Sequence, residues 1–255
     1  MAGMIDMHCH ILPGIDDGAK DEKDALELLR AEKEQGISKV VFTPHFNPER
    51  ISLDKFLDMR KKSYERLKNA EGFSGLGIET KLGAEVYYSM RLIEMDVSGL
   101  CFENTNYIML EFPTNVRPYG ITHTVQNLMD RGYTPILAHV ERYGYFTDDP
   151  IQLYDLVMSG CVAQVNAAAV VSGIVNKGVS ALQYIKWEMA HIICSDAHSL
   201  EKRPPNTKAA YELVEKKLGE DYTDWLKKNS LDIYRDKLFD IPVVHKPKKF
   251  LGRWR

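Results

Sequence analysis

The sequence reads as an α/β barrel of parallel strands, and three observations lead there. Short apolar runs alternate with amphipathic stretches, the pattern of parallel βαβ units. Seven such runs fit into 255 residues, a length that α/β barrels routinely fill as one domain. Their polar residues gather at the C-terminal ends, where a barrel builds its site from several strands at once. An open doubly wound sheet, the alternative, would gather them only where the strand order reverses. With no repeat, low-complexity segment or linker, residues 1–255 read as a single domain with a basic tail from about residue 241.

Met4–His10 is the first strand. Ile5 and Met7 alternate with Asp6, His8 and His10, which places both histidines on one side and Cys9 on the other. The run ends in Leu12-Pro-Gly-Ile-Asp-Asp-Gly18, a turn-forming loop with two carboxylates. A helix over Glu22–Gln35 carries Ala25, Leu28, Leu29 and Ala31 at helical spacing and stops at Gly36. Lys39–His45 is the second strand, Leu53–Asn69 a charged amphipathic helix and Gly72–Gly77 a loop. Thr80–Tyr88 is the third strand, delivering Glu85; the fourth, from Tyr107, delivers Glu111 ahead of Pro113. After a helix over Ile121–Asp130, the fifth strand starts at Thr134 and delivers His139, with Arg142 at its exit. A helix over Asp149–Ser159 leads to the sixth strand, Cys161–Asn166. A helix over Val179–Met189 precedes the seventh, His191–Ser195, which ends in Asp196-Ala-His198. Helices over Pro205–Leu218 and Tyr222–Lys228 close the pattern. The tail from His245 reads as solvated, with docking on an anionic membrane or polymer as the lesser alternative.

A formal net charge of −3 gives no electrostatic footprint for nucleic acid. No run approaches the ~20 apolar residues that span a bilayer. The N-terminus has no signal-peptide core, and Met4 offers a natural start. Cys9, Cys101, Cys161 and Cys194 are scattered with no C-x-x-C pair, which suits reduced thiols in a cytoplasmic protein.

The strand ends together supply His8, His10, Asp16 or Asp17, His45, Glu85, Glu111, His139, Asp196 and His198. Five imidazoles and four carboxylates exceed a single zinc site and suit two or three clustered divalent ions with bridging carboxylates. Imidazole and carboxylate without thiolate suits Mn, Fe or Zn. Arg142 and Arg203 follow His139 and His198 closely, and arginines beside such a cluster can grip phosphate oxygens bidentately. That combination points to phosphoryl transfer to water rather than amide hydrolysis. His123, inside a predicted helix, and His245, in the tail, read as structural or solvated. His191 reads as lying at the far end of its strand.

The order H-x-H, D-D-G, T-P-H, G-A-E, L-E-F, A-H-V-E-R-Y, Q-V-N and S-D-A-H…R-P-P, running from Met4 to about Leu218, resembles the PHP (polymerase and histidinol phosphatase) superfamily. More narrowly it is similar to the bacterial manganese-dependent protein-tyrosine phosphatases of the capsule and exopolysaccharide type. The resemblance implies a distorted seven-stranded (β/α)7 barrel with two or three divalent ions, Mn²⁺ foremost. His8, His10, Glu85 and Asp196 would hold one ion. Glu85, bridging, would hold a second with Glu111 and His139, and His45, His198 and Asp17 a third. Arg142 and Arg203 would bind phosphate. The substrate implied is a tyrosine-phosphorylated protein, a bacterial tyrosine kinase tail, with membrane contact only through that partner. Cys9 stands where the family often has Ser, and the tail beyond Phe239 matches nothing in it.

The expected chemistry is in-line attack of a metal-bridging hydroxide on phosphorus, with His45 or a metal-bound water as proton donor. A cysteine-based tyrosine phosphatase needs an arginine six residues after its cysteine. Those positions hold Ile15, Tyr107, Ala167 and Leu200, which excludes that mechanism. The rival readings are a small-molecule phosphatase of the same superfamily, such as a histidinol-phosphate phosphatase, a metal-dependent amidohydrolase, and a non-catalytic metal-binding regulator.

Overall fold

Parallel strands need crossovers that return the chain to the same end, and this chain supplies a helix after most of its strands. In a computed structural model, which describes residues 3–173, 178–238 and 244–255, the first half runs β1 (Met4–Cys9), α1 (Glu22–Glu34), β2 (Ile37–Phe42), β3 (His45–Phe46), α2 (Leu53–Asn69), β4 (Glu79–Leu82), β5 (Glu85–Tyr87), β6 (Tyr107–Glu111) and α3 (Ile121–Asp130). It continues with β7 (Thr134–Leu137), α4 (Gly144–Asp148), α5 (Ile151–Met158), β8 (Val162–Asn166), α6 (Ala167–Ser172), α7 (Ala181–Lys186), β9 (Ile192–Cys194), α8 (Thr207–Leu218) and α9 (Glu220–Tyr234). A hairpin of β10 (Lys249–Phe250) and β11 (Arg253–Trp254) follows.

Six strands form a curled parallel half-barrel in the order β3-β5-β6-β7-β8-β9, and β1-β2-β4 form a second parallel sheet. An isolated parallel bridge between Cys9 and Ala197 sets the end of β1 beside the chain leaving β9. The expected second and third strands each come in two pieces. Pro44 has no N–H to donate and interrupts the second. At Gly83 a Cβ would stand 2.7 Å from Phe102 Cδ1 and 3.1 Å from Val41 Cγ1, so glycine alone lets the backbone approach there. Arg60 reaches in from α2 and donates to Gly83 O at 2.6 Å and to Gly99 O at 2.8 Å, which holds the kink.

The alternation expected along β1 breaks once. Asp6 pairs with Val40 and Cys9 with Phe42, so β1 spends one residue more than β2 between these pairs. Such a bulge switches the side that later residues face. Ile5 and Met7 pack with Met109, Ile136, Ile192 and Tyr234, whereas Cys9 joins Ile11, Leu28 and Phe42. Asp6 therefore does not share a side with His8 and His10. It accepts instead from the Ser195 N–H at 2.9 Å and the Ser195 hydroxyl at 2.5 Å. His8 and His10 do face the same way.

Outside the sheet, apolar faces of α3, α5, α7 and α8 form the largest core cluster. Two short helices, α4 and α6, were not expected. Ala167-Ala-Ala-Val-Val-Ser reads equally as strand or helix, because short apolar runs lack a decisive period. The tail, expected to be solvated, is partly docked: Trp254 Nε1 donates to Asp148 O at 2.9 Å, and the His245 N–H to Trp187 O at 3.0 Å.

His191 lies fully buried at the start of β9, and its Nδ1 accepts from the Ala163 N–H at 2.9 Å. Burial pushes its pKa down to about 3 from an ordinary 6.5. The unfolded chain therefore binds this proton more readily, and stability falls as pH drops below 6.5 toward that value. His191→Asn keeps an acceptor for Ala163 but removes the titration. Between pH 7 and pH 5 the wild type should lose about 2 kcal/mol more than the variant, by urea midpoints. Parallel acid limbs for the two proteins would contradict the assignment.

Candidate metal centre

Glu85 is the hub. It enters at the start of β5, immediately after the Gly83 kink, with 1% of its surface exposed. Its carboxylate meets His139 Nε2 at 2.8 Å, His45 Nδ1 at 3.0 Å, His10 Nε2 at 3.2 Å and His8 Nε2 at 3.3 Å. Glu111, from the end of β6, stands 3.8 Å from His45 and 3.9 Å from His139. Asp196 Oδ1 stands 3.5 Å from His8 and 3.6 Å from both His10 and His198. All nine residues expected as ligands lie in overlapping groups whose ligand atoms fall within 4.8 Å of one another: His10, Asp17, His45 and His198; His8, His10 and Glu85; His8, His139 and Asp196; His45, Glu85 and Glu111. This grouping departs from the expected one in that His10 also stands with the third set and His139 stands with His8 and Asp196. The sets overlap because one carboxylate touches four imidazoles.

Of the two loop carboxylates, Asp17 faces the cluster, 3.3 Å from His45 Nε2 and 3.4 Å from His198 Nε2. Asp16 braces it from behind, accepting from His10 Nδ1 at 2.8 Å and from the N–H groups of Gly18 and His45 at 3.0 and 3.1 Å. Burial pushes the Asp16 carboxyl up, but His10 outweighs it and brings it down to about 2. Gly18 makes the placement feasible, since a Cβ there would collide with the His10 carbonyl oxygen.

The donor chemistry fits divalent cations. His8 Nδ1 donates to Gln164 Oε1 at 3.1 Å and His10 Nδ1 to Asp16, so the lone pairs of both rings sit on Nε2. Those two nitrogens face each other at 3.4 Å. His198 Nδ1 donates to the Asp196 carbonyl at 2.9 Å, which aims its Nε2 at the Asp17 carboxylate. Facing acceptors repel unless positive charge lies between them. Buried Glu85 Oε2, Asp196 Oδ1 and His198 Nε2 also fall short of hydrogen-bond geometry with the groups around them. Protons can supply part of the missing charge. Burial would strip the proton from His8, yet Glu85 and Asp196 outweigh it and hold its pKa up. His10 is raised further, by Asp16 and Glu85 against its burial. Burial and the Glu85 charge push Glu111 up to about 7. Cations entering here would displace these protons.

Arg142 Nη1 lies 3.4 Å from Asp196 Oδ2, and Arg203 Nη2 donates to the same oxygen. Arg203 reaches back because the chain folds over at Ser199–Arg203, where the His198 N–H donates to Arg203 O at 3.0 Å. Both guanidiniums are about two-fifths exposed, at 42% and 37%, and so keep donors open to solvent. His139 and Asp196 adopt left-handed backbone, φ 31° and 53°, strain of the kind that clusters at functional sites.

Sequence reading missed the amides beneath the site. Gln164 Oε1 also accepts from the His139 N–H at 2.6 Å, Gln164 Nε2 donates to Asn166 Oδ1 at 2.8 Å, and Asn166 Nδ2 donates to Asp196 Oδ2 at 2.7 Å. Amides at i and i+2 of a strand share a face, but in the sequence that pattern reads only as strand polarity. Glu141, also missed, accepts from the Asn166 N–H at 3.2 Å, and burial pushes it up to about 8. His123 is exposed on α3. All four cysteines are buried, and burial pushes their thiols up, Cys101 and Cys161 to about 12. None is a thiolate nucleophile near neutral pH.

Residues 4–234 match the family described as capsular polysaccharide synthesis, CpsB/CapC. The tyrosine-protein phosphatase YwqE of Bacillus subtilis is 31% identical over 98% of this chain and 99% of its own length. The crystal structures of YwqE and of CpsB from Streptococcus pneumoniae, described as unique metal-dependent tyrosine phosphatases, give a match at TM-score 0.80 and 27% identity, covering 93% of this chain and 96% of theirs. A phosphotriesterase homology protein from Escherichia coli, 10% identical, shares the fold at TM-score 0.55 over 91% of this chain and 98% of its own. A buried imidazole–carboxylate cluster, two arginines at its rim and a matched span that takes in every one of those residues lead to one conclusion: the chain belongs to the CpsB/CapC family.

Proposed function

We propose that this chain is a metal-dependent protein-tyrosine phosphatase of capsular or exopolysaccharide synthesis, acting on a tyrosine-phosphorylated protein, the tail of a bacterial tyrosine kinase. The observation that carries the reading is the convergence of Arg142 and Arg203 on Asp196 at the edge of a cluster of imidazoles and carboxylates. His8, His10, Glu85 and Asp196 would hold one ion, Glu85, Glu111 and His139 a second, and His45, Asp17 and His198 a third. Imidazole and carboxylate donors without thiolate support Mn²⁺, with Fe and Zn as competitors. The barrel is read as seven-stranded and the chain as one domain. In support, β2–β3 and β4–β5 are each one strand broken at Pro44 and Gly83, tied by Gly83 N–H to Phe42 O at 2.8 Å and Glu85 N–H to Pro44 O at 3.1 Å. Among the described residues no helix is long and apolar enough to cross a membrane. Four buried free cysteines support a cytoplasmic enzyme.

Bound divalent ions would supply a water acidic enough to ionise near neutral pH and charge to offset the phosphate. The residues do the rest. Arg142 and Arg203 turn their spare N–H groups toward the phosphate's equatorial oxygens, and because Asn166 also holds Asp196 Oδ2, they can lean away without orphaning it. His45 sits at the solvent edge, 38% exposed, beside Glu85 and Asp17. His45 or a metal-bound water would protonate the departing tyrosine oxygen, whose pKa of about 10 demands little help. The open edge, with Asp17 66% exposed, suits a side chain presented on a protein tail.

The deciding experiment compares phosphate release from a phosphotyrosine peptide and from histidinol phosphate, each with Mn²⁺. Preference for the peptide, abolished by a chelator and restored by Mn²⁺, is expected. Preference for histidinol phosphate would replace this reading with a small-molecule phosphatase.

His139→Ala and Asp196→Ala should abolish turnover and lower the bound metal, while far-UV circular dichroism stays unchanged. A variant that kept most of its activity would refute the ligand assignment. Arg142→Ala or Arg203→Ala should lower kcat/KM about ten- to a hundredfold, the weight of one charged hydrogen bond, with metal content retained. Loss of metal from either arginine variant would instead make the arginine a support for Asp196.

A further inference from the structure

The eleven residues from His245 to Arg255 hold five of the chain's 33 Lys and Arg and none of its 36 Asp and Glu. All five cations are exposed. They are carried on a formed hairpin: Lys248 and Arg255 exchange backbone hydrogen bonds at 2.9 and 2.8 Å, Lys249 pairs with Trp254, and Phe250 pairs with Arg253. Lys249 Nζ sits 4.7 Å from the Trp254 ring centroid, and the Arg255 guanidinium 4.9 Å from that of Phe250. At the tip, Leu251 and Gly252 both have positive φ, 48° and 76°. Asn-Gly is the residue pair that suits such a turn. Here a leucine takes the strained position and is 87% exposed, next to a Phe250 that is 55% exposed. Folding gains nothing from this choice, so the apolar tip calls for a use outside the fold.

The hairpin does not float. Trp254 donates to Asp148 O, His245 to Trp187 O, and Val244 and Pro247 are buried. The tail therefore runs along α7 from its C-terminal cap to the end of α4. That short helix starts two residues after Arg142.

The geometry points to a docking site for an anionic phospholipid bilayer, with Phe250 and Leu251 entering the headgroup layer and Lys246, Lys248, Lys249, Arg253 and Arg255 lying over the lipid phosphates. Charge complementarity selects the anionic surface, and the apolar tip selects a bilayer over a dissolved polyanion. Membrane contact then does not run only through a partner. Docking stands apart from the phosphatase reading; its consequence, a catalytic mouth held near membrane-bound phosphoproteins, rests on that reading.

The test is co-sedimentation of the metal-loaded full chain with vesicles of phosphatidylcholine alone and of phosphatidylcholine with phosphatidylglycerol. Binding to the second, and not the first, is expected, weakening as salt is raised. Each cation near such a surface counts for roughly fivefold in affinity, so Lys248→Glu with Lys249→Glu should lower binding more than twentyfold. Leu251→Asn suits the turn better and should fold at least as well, yet bind about tenfold more weakly for lack of the apolar contact. Both variants should hydrolyse a soluble phosphotyrosine peptide as the parent does, which separates a failure here from a failure of the phosphatase reading. Equal binding to both vesicles, undiminished binding by Leu251→Asn, or binding to a soluble anionic polysaccharide as tight as to the vesicles would each overturn the proposal.

Discussion

Glu85 and Asp196 are two buried carboxylates set among five imidazoles, and the architecture around them answers the demand for positive charge that this creates. A lone buried carboxylate is costly enough that it normally takes up a proton. Here Glu85 is held well below its ordinary pKa despite full burial, because His8, His10, His139 and His45 all point at it. Asp196 is likewise lowered, by His8 first, against its own burial. His8, His10 and His198 offer Nε2 lone pairs because their Nδ1 atoms are tied to Gln164, Asp16 and the Asp196 carbonyl. The cluster is stable only with cationic charge inside it, and its outer hydrogen bonds fix which nitrogens meet that charge.

Holding so many like groups at one point requires backbone that ordinary strands do not provide. The β1 bulge turns His8 inward after Met7 has also faced inward. The Gly83 kink lets Glu85 enter, Gly18 lets the acidic loop fold onto His10, and His139 and Asp196 take left-handed backbone. Each departure lies within a few residues of a ligand-type side chain. The regular parts of the two parallel sheets carry the apolar core instead, where Met109, Ile136 and Ile192 are buried together.

Much of this was legible in the sequence, and the boundary of legibility has a physical cause. Ile121–Asp130 and Leu53–Asn69 coincide with the helices found, because long amphipathic periods leave little choice. The imidazoles and carboxylates that cluster here stood out because such residues are rare at the ends of apolar runs. What stayed hidden depends on tertiary contact. The reversal at Asp6 follows from one extra residue in a pairing register, which period-2 reasoning cannot see. Gln164 and Asn166 are uncharged and look like strand polarity until His8, His139 and Asp196 surround them. The tail was taken as solvated because composition reports charge but not the Trp254 and His245 contacts that fasten it.

The arginines show how these layers act together. Asp196 Oδ2 is held by three donors, from Asn166, Arg142 and Arg203, while Oδ1 is left to the imidazoles. A carboxylate divided in this way couples two functions: one oxygen belongs to the charge cluster, and the other positions the groups that would meet a phosphate. Because Asn166 alone is buried and tied to Gln164, it can keep Asp196 aligned when the half-exposed arginines turn to another anion. The amide pair on β8 would therefore let the arginines exchange partners without disturbing the cluster, so the alignment of the site runs from the buried face of the sheet outward rather than from its rim.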